Sequence, residues 1–147
     1  MFLVTKEINF SYGHRLRDYE KKCKHLHGHN GRVAITLAAT ELDSRGMVID
    51  FVDIKNIVQN WIMSELDHKL LLRVDDPLVA VLRDYNEEFY IMAENPTAEN
   101  IAKLIFDYAR SQNLPVVSVK LWETETSIAV YSENLENSEN LENSPML

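Results

Sequence analysis

Cysteine is nearly absent from this chain: Cys23 is the only one in 147 residues. No disulfide can form within the chain, so that thiol is either inert packing or a working group. No apolar run approaches the roughly 20 residues needed to cross a bilayer, and no membrane partner is expected. The first residues, MFLVTKEINF, alternate and carry an acid where a secretory leader has a basic end and a solid apolar block. A reducing cytoplasm is the expected compartment. Basic charge is also in short supply, with 15 Lys and Arg against 23 Asp and Glu and a net charge of −8. Residues 133–147 hold Glu133, Glu136, Glu139 and Glu142 and no Lys or Arg, which leaves residues 1–132 nearer −4. Neither figure suits a protein that grips nucleic acid by neutralising phosphates, so no nucleic-acid partner is expected. A local exception stands at Lys21, Lys22 and Lys24, a loop that is either simply solvated or attracts an anionic substrate.

What is present fits a soluble globular protein: 46% apolar and 26% charged residues. The length is that of a single domain, able to bury about two-thirds of its unfolded surface. Even positions from Phe2 to Tyr12 read Phe, Val, Lys, Ile, Phe, Tyr, a half-buried strand whose parity His14 continues. Val33, Ile35, Leu37 and Ala39 share the odd parity of a second strand, and His27 and His29 lie on that parity too. Asp50 is a plausible cap for a helix carrying Phe51, Ile54, Val58, Trp61 and Ile62 and ending near Glu65 or Leu66. Residues 73–92 are hard to read beyond a possible short strand at FYIM. Thr97 caps a second helix whose buried stripe is Ile101, Leu104, Ile105 and Tyr108, with Glu99 complementing its dipole. Strands at Val116–Glu123 and Ser127–Ser132, joined at ETET, complete a β-β-α-α-β-β order. That is an α+β layout with an antiparallel sheet and two helices on one face. Residues 1–132 form the expected domain, and 133–147, with SENLEN twice, is a polar appendage too poor in apolar residues to build a core.

The chemistry is concentrated in CKHLHGH. His27 and His29, two apart on a strand, present both imidazoles on one face, and Gly28 between them lets the backbone approach closely. His14 has the same apolar-face parity on the neighbouring strand. Three neutral imidazoles with an open fourth position describe a catalytic zinc site. Cys23 and His25 compete for the third place on spacing alone. A closed set of Cys23 with three histidines would instead be a structural knuckle, leaving no base beside the metal. Asp67-His68, at a helix end, is either a surface arrangement or a pair that helps deprotonate the Cys23 thiol. Glu123 ends the otherwise apolar strand face of Val117, Val119 and Leu121. It either points to water or awaits a ligand edge with paired N–H donors.

Six blocks in order, FSYGHRL, CKHLHGHN, GMVIDFVDIK, LDHKLL, NPTAENIAKLI and WETETS, resemble the 6-pyruvoyltetrahydropterin and 6-carboxytetrahydropterin synthase family over about residues 2–132. The resemblance implies a tunnelling fold (T-fold), whose subunits join their sheets into one barrel. It also implies a homohexamer, a dimer of trimers with active sites between subunits. It makes His14, His27 and His29 the ligands of a Zn²⁺ ion, Cys23 the catalytic base, and Asp67 and His68 its partners. Glu123 becomes the anchor of the pterin ring, with Thr97 close to it. The substrate implied is a dihydropterin triphosphate. The three residues between Cys23 and His27 resemble the bacterial 6-carboxy-5,6,7,8-tetrahydropterin synthases, with the 6-pyruvoyl reaction as the nearer alternative and a non-catalytic zinc module as the further one. Gly31 departs from the pattern, since an aromatic residue commonly follows HGHN, and it bears on the shape of the pocket.

Overall fold

The two alternating segments become a long hairpin. β1 (Phe2–His14) and β2 (His27–Ala39), 13 residues each, pair antiparallel from Phe2 opposite Ala39 to His14 opposite His27. This computed structural model describes residues 1–133; most of the appendage expected at 133–147 lies outside the described residues. β5 (Val116–Trp122) pairs antiparallel with β2, and β6 (Ile128–Ser132) with β5. These four antiparallel strands are the ones expected from sequence.

Both helical segments also form, each started by the expected cap. Asp50 accepts the Val52 N–H at 2.9 Å, and Thr97 accepts the Asn100 N–H at 3.3 Å. The first run has three parts: α1 (Phe51–Ile54), a π-helical segment (Lys55–Gln59) and α2 (Asn60–Glu65). Ile54, Val58, Ile62 and Leu66, each four residues apart, all have zero exposure. A straight α-helix would rotate such a stripe by about 40° per step. The wider i→i+5 turns of the π segment absorb that drift and keep the stripe on the sheet.

Residues 69–92 hold the short strand read at FYIM, and add a strand and a helix that the sequence did not show. β3 (Lys69–Arg73) lies parallel to β1, α3 (Leu78–Asp84) follows, and β4 (Phe89–Met92) lies parallel to β3. The antiparallel core thus carries a parallel edge, and the sheet order is β4-β3-β1-β2-β5-β6. In β3, Leu71 and Leu72 are both fully buried, so the period-two signal that reveals a strand is missing. No helix among the described residues is long and apolar enough to cross a membrane.

α4 (Ala98–Ser111) covers the same sheet face with Ile101, Ile105 and Phe106. Against it stand Ile8 and Phe10 of β1, Val33, Ile35 and Leu37 of β2, and Val119 and Leu121 of β5. One detail differs from the simple alternation. Thr36 pairs with Ser118 and Leu37 with Val116, so β5 bulges at Val117. Val116 is therefore fully buried and Val117 only half so, reversing the parity expected for the start of this strand.

The parallel edge is tied down by a buried ion pair. The Asp76 carboxylate accepts Arg15 Nε at 2.8 Å, Arg15 Nη2 at 2.5 Å and the Leu78 N–H at 2.9 Å. Burial alone would raise the Asp76 pKa, but these donors outweigh it and hold the group below the usual carboxylate range. A depressed folded pKa means the stabilisation is complete above the unfolded value of about 3.9 and is lost as pH falls through the folded one. Asp76→Ala should therefore cost about 2–3 kcal/mol at pH 7 in urea unfolding. The gap to the unsubstituted protein should close as the pH is lowered below about 4.

Candidate metal centre

The end of the β1–β2 ladder brings three histidines into one group. His14 lies opposite His27, Gly13 opposite Gly28, and Tyr12 opposite His29. The ring centroids are 4.5 Å apart for His14–His27 and 5.1 Å for each of the other two pairs. One nitrogen from each ring lies within 4.8 Å of the others. Neither Cys23 nor His25 belongs to this group.

Main-chain carbonyls orient two of the rings. His14 Nδ1–H donates to the Pro96 carbonyl at 2.6 Å, and His27 Nδ1–H to the His25 carbonyl at 2.7 Å. A carbonyl only accepts, so both Nδ1 atoms carry the proton and both Nε2 atoms present lone pairs. His14 and His29 Nε2 are buried without a hydrogen-bond partner. Burial also pushes both imidazoles below their ordinary pKa, outweighing the nearby Glu123 charge, and so favours the neutral form that ligates. Convergent, neutral, orphaned ring nitrogens fit a divalent transition metal, whose bonds would supply the missing partners.

Glu123 follows β5 and keeps the inward parity of Val119 and Leu121. Its Oε1 lies 3.4 Å from His14 Nε2 and 3.5 Å from His29 Nε2, and the Tyr12 hydroxyl donates to it at 3.5 Å. It does not simply point to water. A carboxylate facing two lone pairs is repulsive until a cation or a proton donor stands between them. Tyr12 was not singled out by sequence reasoning, although its even parity two residues before His14 marks it. Burial, reinforced by Glu123, raises its phenol pKa, so it stays a hydrogen-bond donor. Its ring also accounts for Gly31: a Cβ there would meet a Tyr12 ring carbon at 2.9 Å. The space an aromatic side chain would occupy after HGHN is filled from the neighbouring strand.

Asp67 and His68 lie beside β1. Ser11 N–H donates to Asp67 Oδ1 at 2.8 Å, and the His68 N–H donates to the Ser11 carbonyl at 2.7 Å. His68 Nδ1 donates to Asp67 Oδ2 at 2.6 Å. His68 has a φ of 58°, a left-handed conformation costly for this residue, and its side chain is 81% exposed. It lines a cavity of about 670 Å³ with Ser11, His27, His29 and Asn30. Cys23, half-buried on a 3₁₀ turn at Lys22–Lys24, lines a different cavity between Tyr19 and His25. Within one chain the thiol and the Asp–His pair are thus not brought into one cavity. Thr97 is adjacent to Pro96, with its hydroxyl engaged as the α4 cap.

The 6-pyruvoyl tetrahydropterin synthase family model matches residues 3–134, and the chain belongs to that family. Among curated relatives, the 6-carboxy-5,6,7,8-tetrahydropterin synthase of Rickettsia typhi is 42% identical, covering 85% of this chain and 96% of its own. The Haemophilus influenzae protein of the same name is 32% identical, covering 90% and 100%. A crystal structure of an uncharacterized protein from Wolinella succinogenes superposes with a TM-score of 0.75 at 28% identity, covering 90% and 98%. The Caenorhabditis elegans 6-pyruvoyl tetrahydropterin synthase does so at 0.64 and 23%, covering 91% and 98%, a likeness of fold.

Removing one ligand tests the centre directly. His27→Ala should lose bound divalent metal, read by elemental analysis of the purified protein, while keeping its far-UV circular dichroism.

Proposed function

We propose that this chain is a cytoplasmic, zinc-dependent lyase that converts 7,8-dihydroneopterin triphosphate and one water to 6-carboxy-5,6,7,8-tetrahydropterin, acetaldehyde and triphosphate, in the queuosine (7-deazaguanine) pathway. The observation that carries the reading is the trio of His14, His27 and His29 with Glu123 set against it, on a chain 42% identical to a curated synthase of that name.

His14, His27 and His29 would hold the zinc through their ring nitrogens, and it would supply Lewis acidity beside the hydroxyls of the substrate side chain. The remaining tasks fall to side chains. Cys23 removes a proton from the side-chain carbon as its thiolate, the competent form of the group. His68, with Nδ1–H committed to Asp67 Oδ2, keeps Nε2 free to take and return a proton. Asp67 holds that tautomer and the ring position, and is itself fixed by the Ser11 N–H. Glu123 accepts the 2-amino and N3 hydrogens of the pterin in two charge-assisted bonds. Thr97 lines the approach to the ring.

Assembly as a homohexamer, a dimer of trimers, supports this division of labour. β4 and β6 are open sheet edges, and the β6 edge exposes Ile128 and Val130 at 48% and 58%. Joining such edges closes a barrel and lets the Cys23 of one subunit meet the Asp67–His68 pair of the next. The exposed, strained His68 is the residue such a neighbour would cover.

Product mass after incubation with dihydroneopterin triphosphate is the direct test. A product retaining all three side-chain carbons would sink this reading in favour of the 6-pyruvoyl reaction. Cys23→Ala should keep its zinc and fold while turnover falls by at least about 100-fold. Loss of zinc in that variant would mean a structural knuckle instead. Mixing Cys23→Ala with His68→Ala subunits, after dissociation and reassembly, should restore part of the activity if sites are shared.

A further inference from the structure

A second polar cavity, of about 390 Å³, adjoins the one that holds Cys23. Arg15, Arg17, Lys24 and His25 line it together with Asp18 and Glu20. Arg17 is the unusual member. Its Nε is buried and makes no hydrogen bond among the described residues. Three of the nearby acids, Asp18, Asp75 and Asp76, are engaged by other arginines, while Glu20 has no ion pair among the described residues. Arg73 binds Asp18 at 2.6 Å and Asp75 at 2.6 Å, and Arg15 binds Asp76. Asp75 and Asp76 are near enough to feel the charge of Arg17 without bonding to it. A guanidinium with a dry, unfilled donor carries a standing desolvation cost that an anion would relieve.

The position of Arg17 is fixed. Its N–H donates to Asn95 Oδ1 at 2.8 Å, and its carbonyl accepts from Asn95 Nδ2 at 2.9 Å. The next residue, Pro96, holds the His14 ring, and the His25 carbonyl holds the His27 ring. The cavity is therefore joined to the metal centre at two points. Lys24 and His25 also border the Cys23 cavity, so an anion bound here lies between the base and the metal-holding loop.

We infer that Arg17, Lys24 and His25 form the subsite for the triphosphate of the substrate, with Arg17 as its principal anchor. This rests on the reading of the protein as a dihydropterin triphosphate lyase and adds to it the group that holds the leaving polyphosphate. Arginine suits the task, because its planar fork can place two N–H donors on one phosphate. Lys21 and Lys22 border only the Cys23 cavity, so they serve at most to raise the local potential.

Calorimetric titration of the zinc-loaded, full-length protein with inorganic tripolyphosphate tests the subsite without turnover. Arg17→Ala should bind it at least tenfold more weakly, Arg17→Lys should fall between, and the exposed Lys55→Ala should match the unsubstituted protein. In kinetics with dihydroneopterin triphosphate, Arg17→Ala should raise KM by a similar factor and change kcat much less. Lys24→Ala, on an exposed turn, provides a second variant with little risk to folding, and it should weaken binding several-fold. Unchanged tripolyphosphate affinity in folded Arg17→Ala, or no binding by the unsubstituted protein, overturns the assignment. Turnover with a KM indifferent to Arg17 overturns the subsite but leaves the lyase. Arg17-dependent binding without turnover overturns the lyase but leaves the subsite.

Discussion

Everything at the centre depends on the register between β1 and β2. With His14 opposite His27 and Tyr12 opposite His29, three imidazoles and one phenol share a single face of the hairpin. A slip of one residue would send His27 and His29 to the opposite face and bury Gly28 and Asn30 instead. The ladder resists such a slip because Val33, Ile35 and Leu37 of the same strand would leave the core with them. Burial of those side chains, at about 1.5–3 kcal/mol each, thus secures the metal ligands from a distance. Glycine pairs with glycine between the histidine positions, and a Cβ at Gly28 would press on the Tyr12 carbonyl at 3.0 Å. Close approach of the two strands is what lets rings on different strands converge.

Electrostatics then settles the use of the converged groups. Lone pairs on buried neutral imidazoles, and a carboxylate beside them, form a negative well with no internal counter-charge. The paired arginines of the parallel edge do not fill it, since Arg15 and Arg73 are spent on Asp76, Asp75 and Asp18. The surroundings thus sort charge into two adjoining regions, one short of a cation and the other, around Arg17, short of an anion. On the proposed function, a substrate carrying a polar ring and a polyphosphate, bound with a metal, would complete both at once.

Much of this was legible in the sequence because strand parity is a two-state code. His14, His27, His29 and Glu123 each continue an apolar alternation, and all four arrive at one place. Both helix caps, at Asp50 and Thr97, were legible for a similarly local reason. What parity could not show was pairing across long separations. β3 hides because neighbouring leucines are both buried, and its parallel pairing with β1 has no local signature. The bulge at Val117 reversed a side-chain assignment for the same reason: the extra residue is visible only against its partner strand. Arg17 and Asp76 were missed because an isolated charge in a loop looks solvated until its neighbours are known. The likeness to a family supplied the roles of Cys23, Asp67 and His68, and one chain alone does not bring them together.

Both ring-orienting acceptors, at Pro96 and His25, belong to the main chain. Their place is set by where the backbone runs and not by which side chain sits there. Point substitution at His25 would leave the acceptor of the His27 proton intact, whereas inserting or deleting one residue between His25 and His27 would displace it. The same holds for the two-residue path from Asn95 to Pro96. For the orientation of the two rings, then, these loops are constrained in length and not in the side chains at Pro96 and His25: the rim of the centre is open in chemistry at those two positions and closed in spacing.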